Sequence, residues 1–386
     1  MEQGMGKNKG AAAGTRQRNA GYQTFFISGI CAISCGVVVS LLKEQLGFDY
    51  AMTGTLLSMM NVGNLAAGFA AAFLAGKLGM KRSVALLTAG YAVGYLLMAV
   101  TGWAGLLMAA FFLVGIGKGS TINTCTILVG DNSEDRTRGM NIMHSCYALG
   151  ALLCPFLISA AGMVSPSFPM GALALCGLIL WLIFAFTPME RGVREKKGGT
   201  DWSFLRSRKF WLLTGLLFCQ NGAETSVTGW LVTYFKGSGI LTGALSTYTV
   251  TVMWLATLAA RMLFAFVFPI RKARKAMIWM SLGCIVFYFG LMQAGSQWTA
   301  ILLLFAFAAA MAGMNPTAVA RAGRMTSVAS MGIMLPAASS GAILMPWVIG
   351  LVAEQAGIRT GMLCNLLPCA GMLILSLLTK EEGGAE

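Results

Sequence analysis

The chain has 386 residues, of which 57% are hydrophobic and 11% are charged, and its formal net charge is +14. Soluble domains contain about 25% charged residues, so a chain this apolar cannot bury its hydrophobic side chains in a single aqueous core. The composition therefore excludes an ordinary soluble domain and predicts an integral membrane protein.

Twelve apolar stretches follow one another along the chain, each close to the roughly 20 residues that an α-helix needs to cross about 30 Å of hydrocarbon. The pattern is least regular from Ala294 to Ala329, because Trp298, Asn315 and Arg321 interrupt it. We predict twelve transmembrane helices, with centres near Cys31, Ala66, Tyr91, Gly117, Gly150, Leu178, Ala223, Thr257, Ile285, Ala308, Gly341 and Gly371.

The segment before the first span, Met1–Ala20, mixes basic residues with many Gly and Ala. It contains Lys7, Lys9, Arg16 and Arg18, and no cleavage site follows the first apolar run, which argues against a secretory signal peptide. We predict that residues 1–20 form a disordered tail on the cytoplasmic side of the membrane.

The basic residues are distributed unevenly across the membrane. With the N-terminus in the cytoplasm, Lys43, Lys236 and Arg359 fall outside and Lys118 and Arg261 fall within spans, which leaves 23 of the 28 Lys and Arg residues on the cytoplasmic side. This asymmetry follows the positive-inside rule, so we predict a multi-pass protein of the cell membrane with both termini in the cytoplasm. Nucleic acid is not an expected partner, because it would require one folded basic face in water.

Span four carries Lys118 near its midpoint, about 18 Å from the start of the apolar run. A charge at this depth costs at least about 2.5–3.5 kcal/mol, so it requires a partner, water or a function. Gly115 and Gly119 form a small-xxx-small face, which predicts close helix packing beside it. Three roles stay open for Lys118: binding an anionic substrate, pairing with Glu224 of span seven, and a snorkelling or structural role.

Span five contains the single histidine of the chain, His144, about 9 Å into the span. Tyr147 shares its helical face and is a candidate for binding substrate. His144 is either a proton relay or a packed, hydrogen-bonded structural residue.

A sequence repeat divides the chain into two halves. Gly150-Ala151-Leu152-Leu153-Cys154-Pro155-Phe156 in span five recurs 191 residues later as Gly341-Ala342-Ile343-Leu344-Met345-Pro346-Trp347 in span eleven. Parallel repeats of this kind are typical of secondary transporters with a binding site between the halves. We predict an all-α fold of two pseudo-symmetric six-helix bundles, residues 21–188 and 210–380, with a C-terminal tail at 381–386.

The bundles are joined by a basic linker, residues 189–209. It places Trp202, Phe204 and Leu205 beside Arg206 and Arg208, a mixture that favours a segment lying on the inner membrane surface over a motif for a protein partner.

Span seven carries Glu224, about 20 Å from the start of its apolar run. Asn221 at i−3 and Thr228 at i+4 share its face, and such a polar stripe would be unfavourable against lipid. A carboxyl group shielded from water can exchange a proton near neutral pH, whereas a nearby lysine would oppose that behaviour. Glu224 is therefore either a proton-coupling or substrate-binding group, or a structural acid that bonds two helices.

Further polar and sulfur-containing residues lie within the spans. Asn61, Thr121, Trp254 and Asn315 are candidates for binding substrate, although single polar residues in spans more often bond neighbouring helices. The ten cysteines all fall within spans, where cysteine packs as a small hydrophobic residue. The Cys31 and Cys35 pair has the i, i+4 spacing for a soft metal, but no histidine lies nearby, so we expect a structural role and no metal or other cofactor.

Several short motifs carry a resemblance to one transporter family. The loop after span two reads Gly76-Lys77-Leu78-Gly79-Met80-Lys81-Arg82, which resembles the loop motif of the major facilitator superfamily, although Gly76 takes the place of its usual aspartate. Three further features resemble the fucose permease-like branch of sugar and proton symporters. They are Gly222-Ala223-Glu224 with Gly229-Trp230-Leu231-Val232-Thr233-Tyr234 in span seven, Asn123 in span four, and Trp254 followed by Arg261 in span eight.

The resemblance implies alternating access around a central cavity lined mainly by spans one, four, seven and ten. It implies gating roles for Lys77 and Arg82 in the loop and a structural or gating role for Arg261. Lys118 departs from the branch, which commonly has uncharged or acidic residues there, and a buried cation favours an anionic substrate such as a sugar acid or another carboxylate.

Enzymatic chemistry is not expected, because the sequence has no metal-ligand cluster, phosphate-binding loop or catalytic triad pattern. We predict a monomeric secondary transporter that takes up a small polar metabolite by proton symport, with Glu224 and His144 as proton-coupling groups. Two alternatives stay open: proton-driven efflux of lipophilic drugs or lipids, and a sensor of the same fold that binds its ligand without moving it.

Overall fold

The computed structural model describes residues 2–134, 136–189, 203–241, 244–268, 270, 272–323 and 328–379. These residues form α-helices, one short 3₁₀ helix at Ser203–Arg206 and connecting turns. The helices are α1 Glu2–Leu46, α2 Tyr50–Leu78, α3 Met80–Val100, α4 Ala104–Asn132, α5 Arg136–Gly162, α6 Phe168–Phe186, α7 Arg208–Ser238, α8 Ala244–Phe266, α9 Ala273–Gln293, α10 Gln297–Met311, α11 Met314–Gly323, α12 Val328–Ala356, α13 Ile358–Leu363 and α14 Leu366–Leu378.

The helices match the twelve predicted spans, so the predicted all-α membrane fold is confirmed. Helices α1 to α9 correspond to spans one to nine, α10 and α11 share span ten, α12 is span eleven, and α13 and α14 share span twelve. Among the described residues, eleven helical stretches are long and apolar enough to cross a membrane. Helix α7 has the length, with 31 residues, but its polar residues lower its hydropathy.

The prediction of a disordered N-terminal tail was wrong. Helix α1 begins at Glu2 and runs without a break to Leu46. The Ala, Gln, Lys and Arg residues of this segment favour a helix, and they outweigh its glycines. Two hydrogen bonds also hold the helix to the end of α6: Arg16 Nη2 donates to the Phe186 carbonyl at 3.2 Å, and Gln17 Nε2 donates to the Pro188 carbonyl at 2.7 Å.

The structure describes only the last residues of the predicted linker, from Ser203 onwards, together with Met189 at its start. Residues 190–202, including Trp202, lie outside the described residues. The chain divides into two compact units, Met1–Val38 with Met59–Lys196, and Val39–Ser58 with Lys197–Glu386. The last part of α1 and the first part of α2 therefore pack with the second unit. The predicted bundle ranges stay predictions.

In the first unit, glycines on α4 bring two helices together at backbone distance. A Cβ atom on Gly115 would overlap the carbonyl oxygen of Met60 on α2, and one on Gly119 would lie 2.5 Å from the carbonyl oxygen of Asn64. The small-xxx-small face predicted around Lys118 is thus confirmed as the packing surface between α4 and α2.

The repeated motif makes the same contact in both units. A Cβ atom on Gly150 of α5 would overlap the carbonyl oxygen of Phe26 on α1, and a Cβ atom on Gly341 of α12 would overlap the carbonyl oxygen of Phe218 on α7. The spacing between Phe26 and Phe218 is close to the 191-residue repeat found in the sequence. The motif therefore recurs because α1 and α5 in the first unit, and α7 and α12 in the second, meet at backbone distance at this position, where only glycine fits.

In the second unit, the start of α2 is held by two acidic side chains, one from the residue just before the helix and one from α12. Asp49 Oδ1 accepts the Met52 N–H at 2.6 Å as an N-cap, and Glu354 Oε2 of α12 accepts the Tyr50 N–H at 2.8 Å. Lys236 Nζ of α7 forms an ion pair with Glu44 Oε2 of α1 at 2.9 Å. These contacts explain why the end of α1 and the start of α2 belong with α7 and α12.

Candidate functional site

The centre of α7 carries a hydrogen-bonded set of polar side chains that we call the amide–carboxylate set: Gln220, Glu224 and Asn315. Gln220 Nε2 donates to Glu224 Oε2, one helical turn along α7. The other end of the same amide, Gln220 Oε1, accepts from Asn315 Nδ2 of α11 at 2.8 Å. Gln220 is almost fully buried, whereas Glu224 and Asn315 are half-buried. The set therefore connects an ionisable group on α7 to α11 through the amide of Gln220.

The sequence predicted Glu224 and Asn315 as site residues but did not single out Gln220. Asn221 was expected beside the acid because i−3 and i+4 positions share a helical face. The residue that bonds the carboxylate is instead at i−4, a spacing that lies on the same face equally well. The signal available in the sequence was the glutamine itself, since an amide within an apolar span requires a partner. Asn221 is half-buried on α7.

Thr228, the other residue of the predicted polar stripe, bonds the backbone. Its hydroxyl donates to the carbonyl oxygen of Glu224 within α7. This bond is local to the helix and leaves the carboxylate of Glu224 to Gln220.

Asn315 lies beside a break in span ten, between α10 and α11. Pro316 has no N–H, so it cannot donate to the carbonyl oxygen of Ala312 one turn earlier. Arg261 of α8 takes that place, because its Nε donates to the Ala312 oxygen at 3.3 Å. Arg261, expected to be structural or gating, therefore bonds the end of α10; its gating role stays a prediction.

In the first unit, Lys118 is half-buried on α4. The neighbouring glycines pack against other helices, Gly117 against Tyr91 of α3 and Gly119 against α2. The Lys118 ammonium lies within electrostatic range of the Cys35 thiol on α1. The predicted contact between Lys118 and Glu224 stays a prediction.

The remaining residues predicted to bind substrate or protons lie on several helices. Thr121 donates to the Gly117 carbonyl of its own helix at 2.7 Å, and Asn61 and Trp254 are buried. The rings of His144 and Tyr147 both contact Phe25 of α1, with ring centroids 5.6 Å and 5.1 Å from that of Phe25.

Lys77 and Arg82, the two basic residues with a predicted gating role in the loop after α2, are both exposed. Lys77 Nζ lies 4.3 Å from the ring centroid of Phe73 in its own helix, a cation–π contact. Arg82 lies in the first turn of α3, which begins after Gly79 at a positive φ of 78°. Their gating roles stay predictions.

The fold is that of a multi-pass helical membrane protein in which a sequence motif of the first half recurs in the second. Polar side chains form hydrogen bonds to one another inside its spans, as is typical of membrane transporters. The chain belongs to the Major Facilitator Superfamily, whose family profile matches residues 23–335. The predicted membership of the superfamily is thus confirmed, and the assignment to its fucose permease-like branch stays a prediction.

A curated relative, the probable sulfoacetate transporter SauU of Cupriavidus necator, is 25% identical over 236 residues, covering 55% of this chain and 55% of the relative. The chain thus spans about half the length of this curated relative. A mutant of the nucleoside transporter NupG covers 95% of this chain and 98% of its own, with a TM-score of 0.75 at 15% identity. A bacterial homologue of the human lysosomal transporter Spinster, inward-facing and occupied, has a TM-score of 0.73 at 11% identity and covers 95% of both chains. At these identities the structural likeness shows the fold alone.

Proposed function

We propose that this chain is a secondary active transporter that takes up a small organic anion together with protons. It works by alternating access, as a monomer, in the cytoplasmic membrane with both termini in the cytoplasm. The substrate is a carboxylate or a sulfonate, and Glu224 carries the coupled proton. The observation that carries the proposal is the amide–carboxylate set, because it bonds an ionisable group inside a membrane span to a second helix.

The hydrogen bonds of this set give the proton a way to act on the protein. An ionised Glu224 only accepts hydrogen bonds, which matches the amide N–H of Gln220 pointing towards it. A protonated Glu224 gains an O–H donor, and Gln220 then satisfies it best by turning its oxygen to the acid. That oxygen is the present acceptor of Asn315, so protonation on α7 would release Asn315 beside the break in span ten. The proton would thereby bias the position of α11.

An anionic substrate is supported by two independent observations. Lys118 places a cation near the middle of span four, where the cost of a buried charge falls when an anion pairs with it. The relative from Cupriavidus necator is described as a probable sulfoacetate transporter, and sulfoacetate carries a sulfonate and a carboxylate. Both favour a small substrate with at least one negative charge over a neutral sugar.

Flux into proteoliposomes tests the proposal. The purified protein is reconstituted, a pH gradient is imposed with the lumen alkaline, and uptake of labelled sulfoacetate is followed, with uridine as the uncharged comparison. We expect accumulation of the anion that collapses when a protonophore removes the gradient. Binding of sulfoacetate without counterflow would contradict transport. Accumulation of sulfoacetate that persists when the protonophore is added would contradict proton coupling.

Replacing Lys118 tests the anion assignment. In Lys118→Met we expect the affinity for sulfoacetate to fall about 10-fold to 100-fold, because a charge-assisted hydrogen bond contributes about 1.5–3 kcal/mol. The measurement is a thermal-shift titration of the purified protein. Lys275→Met is the matched control, because it removes an exposed lysine at the start of α9 and should leave the affinity unchanged. An unchanged affinity in Lys118→Met would contradict the role of this residue as an anion receptor.

A further inference from the structure

The first unit contains a cavity of about 610 Å³ between the N-terminal part of α1 and the end of α6. Its α1 wall is polar and includes Arg16, Asn19 and Gln23. Its α6 wall is apolar and includes Ile179, Leu182 and Ile183. A ligand that fits both walls must therefore combine an anionic or polar group with a hydrocarbon part.

Arg16 is positioned at the cavity by a hydrogen bond to the end of α6. Its Nη2 donates to the Phe186 carbonyl, and the bond between Gln17 and the Pro188 carbonyl supports the same arrangement. A guanidinium group has five N–H donors, so Arg16 can bind the oxygens of a phosphate while it keeps this carbonyl.

The cavity lies where the chain passes from the apolar spans to their basic ends. The apolar run of α1 begins after Ala20, one turn past Arg16, and α6 ends at Phe186. The α1 segment beside it carries further positive charge at Arg18, while the α6 wall belongs to a helix that is apolar throughout. Basic pockets between membrane helices at this depth attract anionic lipid headgroups.

We propose that this cavity is a binding site for an anionic phospholipid. The headgroup phosphate binds Arg16 with help from the amides of Asn19 and Gln23, and an acyl chain lies along Ile179, Leu182 and Ile183. A small soluble anion would use the polar wall but gain nothing from the apolar one, so the lipid is the occupant that accounts for both. The bound lipid holds α1 to α6 and stabilises the first unit.

Native mass spectrometry of the full-length protein tests the site. The purified protein is titrated with phosphatidylglycerol or with phosphatidylcholine of the same acyl chains. We expect phosphatidylglycerol to bind about fivefold more tightly, the difference that one surface cation provides. In Arg16→Gln this preference should be lost, whereas in Arg18→Gln, a matched control outside the cavity, it should persist.

Three results would overturn the proposal: equal binding of both lipids by the unchanged protein, a preserved preference in Arg16→Gln, or an equal loss in Arg18→Gln. Displacement of phosphatidylglycerol by millimolar inorganic phosphate would also overturn it, by assigning the site to a free anion. Ile183→Trp is the second variant, in case Arg16→Gln does not fold. It keeps the charge but fills the cavity, so undiminished lipid binding in Ile183→Trp would contradict the site as well.

Discussion

In Glu224→Gln we expect accumulation of sulfoacetate driven by a pH gradient to disappear, while exchange of internal for external sulfoacetate continues within a few-fold of the unchanged protein. Glutamine keeps the size of the side chain and a hydrogen bond to Gln220, but it cannot release a proton. Exchange requires the protein to change conformation with substrate bound and needs no net proton movement. The separation of the two activities is therefore the signature of a coupling group.

The measurements are gradient-driven uptake and counterflow in the same proteoliposomes. Glu44→Gln serves as the control. It removes a carboxylate near the end of α1 that forms an ion pair with Lys236 of α7, away from the amide–carboxylate set. Surface ion pairs of this kind contribute about 0–1 kcal/mol, so both activities should persist. Intact pH-driven accumulation in Glu224→Gln would exclude this acid as the coupling group, and loss of both activities would indicate a structural role for it.

A second large effect is expected at the repeated glycine. In Gly341→Val the new side chain would collide with the Phe218 carbonyl, a backbone atom that can move only if α7 and α12 separate. Overpacking in a tight core costs about 1–3 kcal/mol, and we expect the upper end here because two whole helices must shift. With about 2–4 °C per kcal/mol for domains of this size, the midpoint of thermal unfolding should fall by about 6–12 °C.

The matched variant Gly150→Val should lose a similar amount of stability, because this glycine faces the Phe26 carbonyl in the same way. Gly171→Val is the control, since a Cβ atom there meets no other atom within 4 Å and valine is the better helix former. The readout is the midpoint of thermal unfolding, followed by size-exclusion chromatography of heated samples. Equal stability of Gly341→Val and Gly171→Val would contradict the close-packing argument.

The sequence was most informative where one physical requirement dominates. The length of the apolar runs revealed the twelve spans, because hydrocarbon allows few alternatives to a helix of that length. Gly115 and Gly119 revealed a packing face because no larger residue fits where two backbones meet. The Gly150 and Gly341 motifs revealed the duplication for the same reason.

The sequence was less informative where the choice depends on neighbours that are distant in the chain. The i−3 and i−4 residues both lie on the face of Glu224, and only the arrangement of α7 against α11 selects Gln220 over Asn221. The N-terminal part of α1 is held at Arg16 by a hydrogen bond to the end of α6, 170 residues away along the chain. Similarly, the role of Arg261 depends on the carbonyl that Pro316 leaves without a donor.

The low hydropathy of α7 has a consequence for how the protein is made. The residues that form its polar stripe are the same ones that make this helix less favourable in lipid than the other spans. Its partner Asn315 and the packing glycine Gly341 are synthesised about 90 to 120 residues later. A newly made α7 therefore reaches the translocation channel before the helices that contribute its polar and packing partners. We expect α7 to be the span least able to insert into the membrane by itself, and its insertion to improve when the later helices are present.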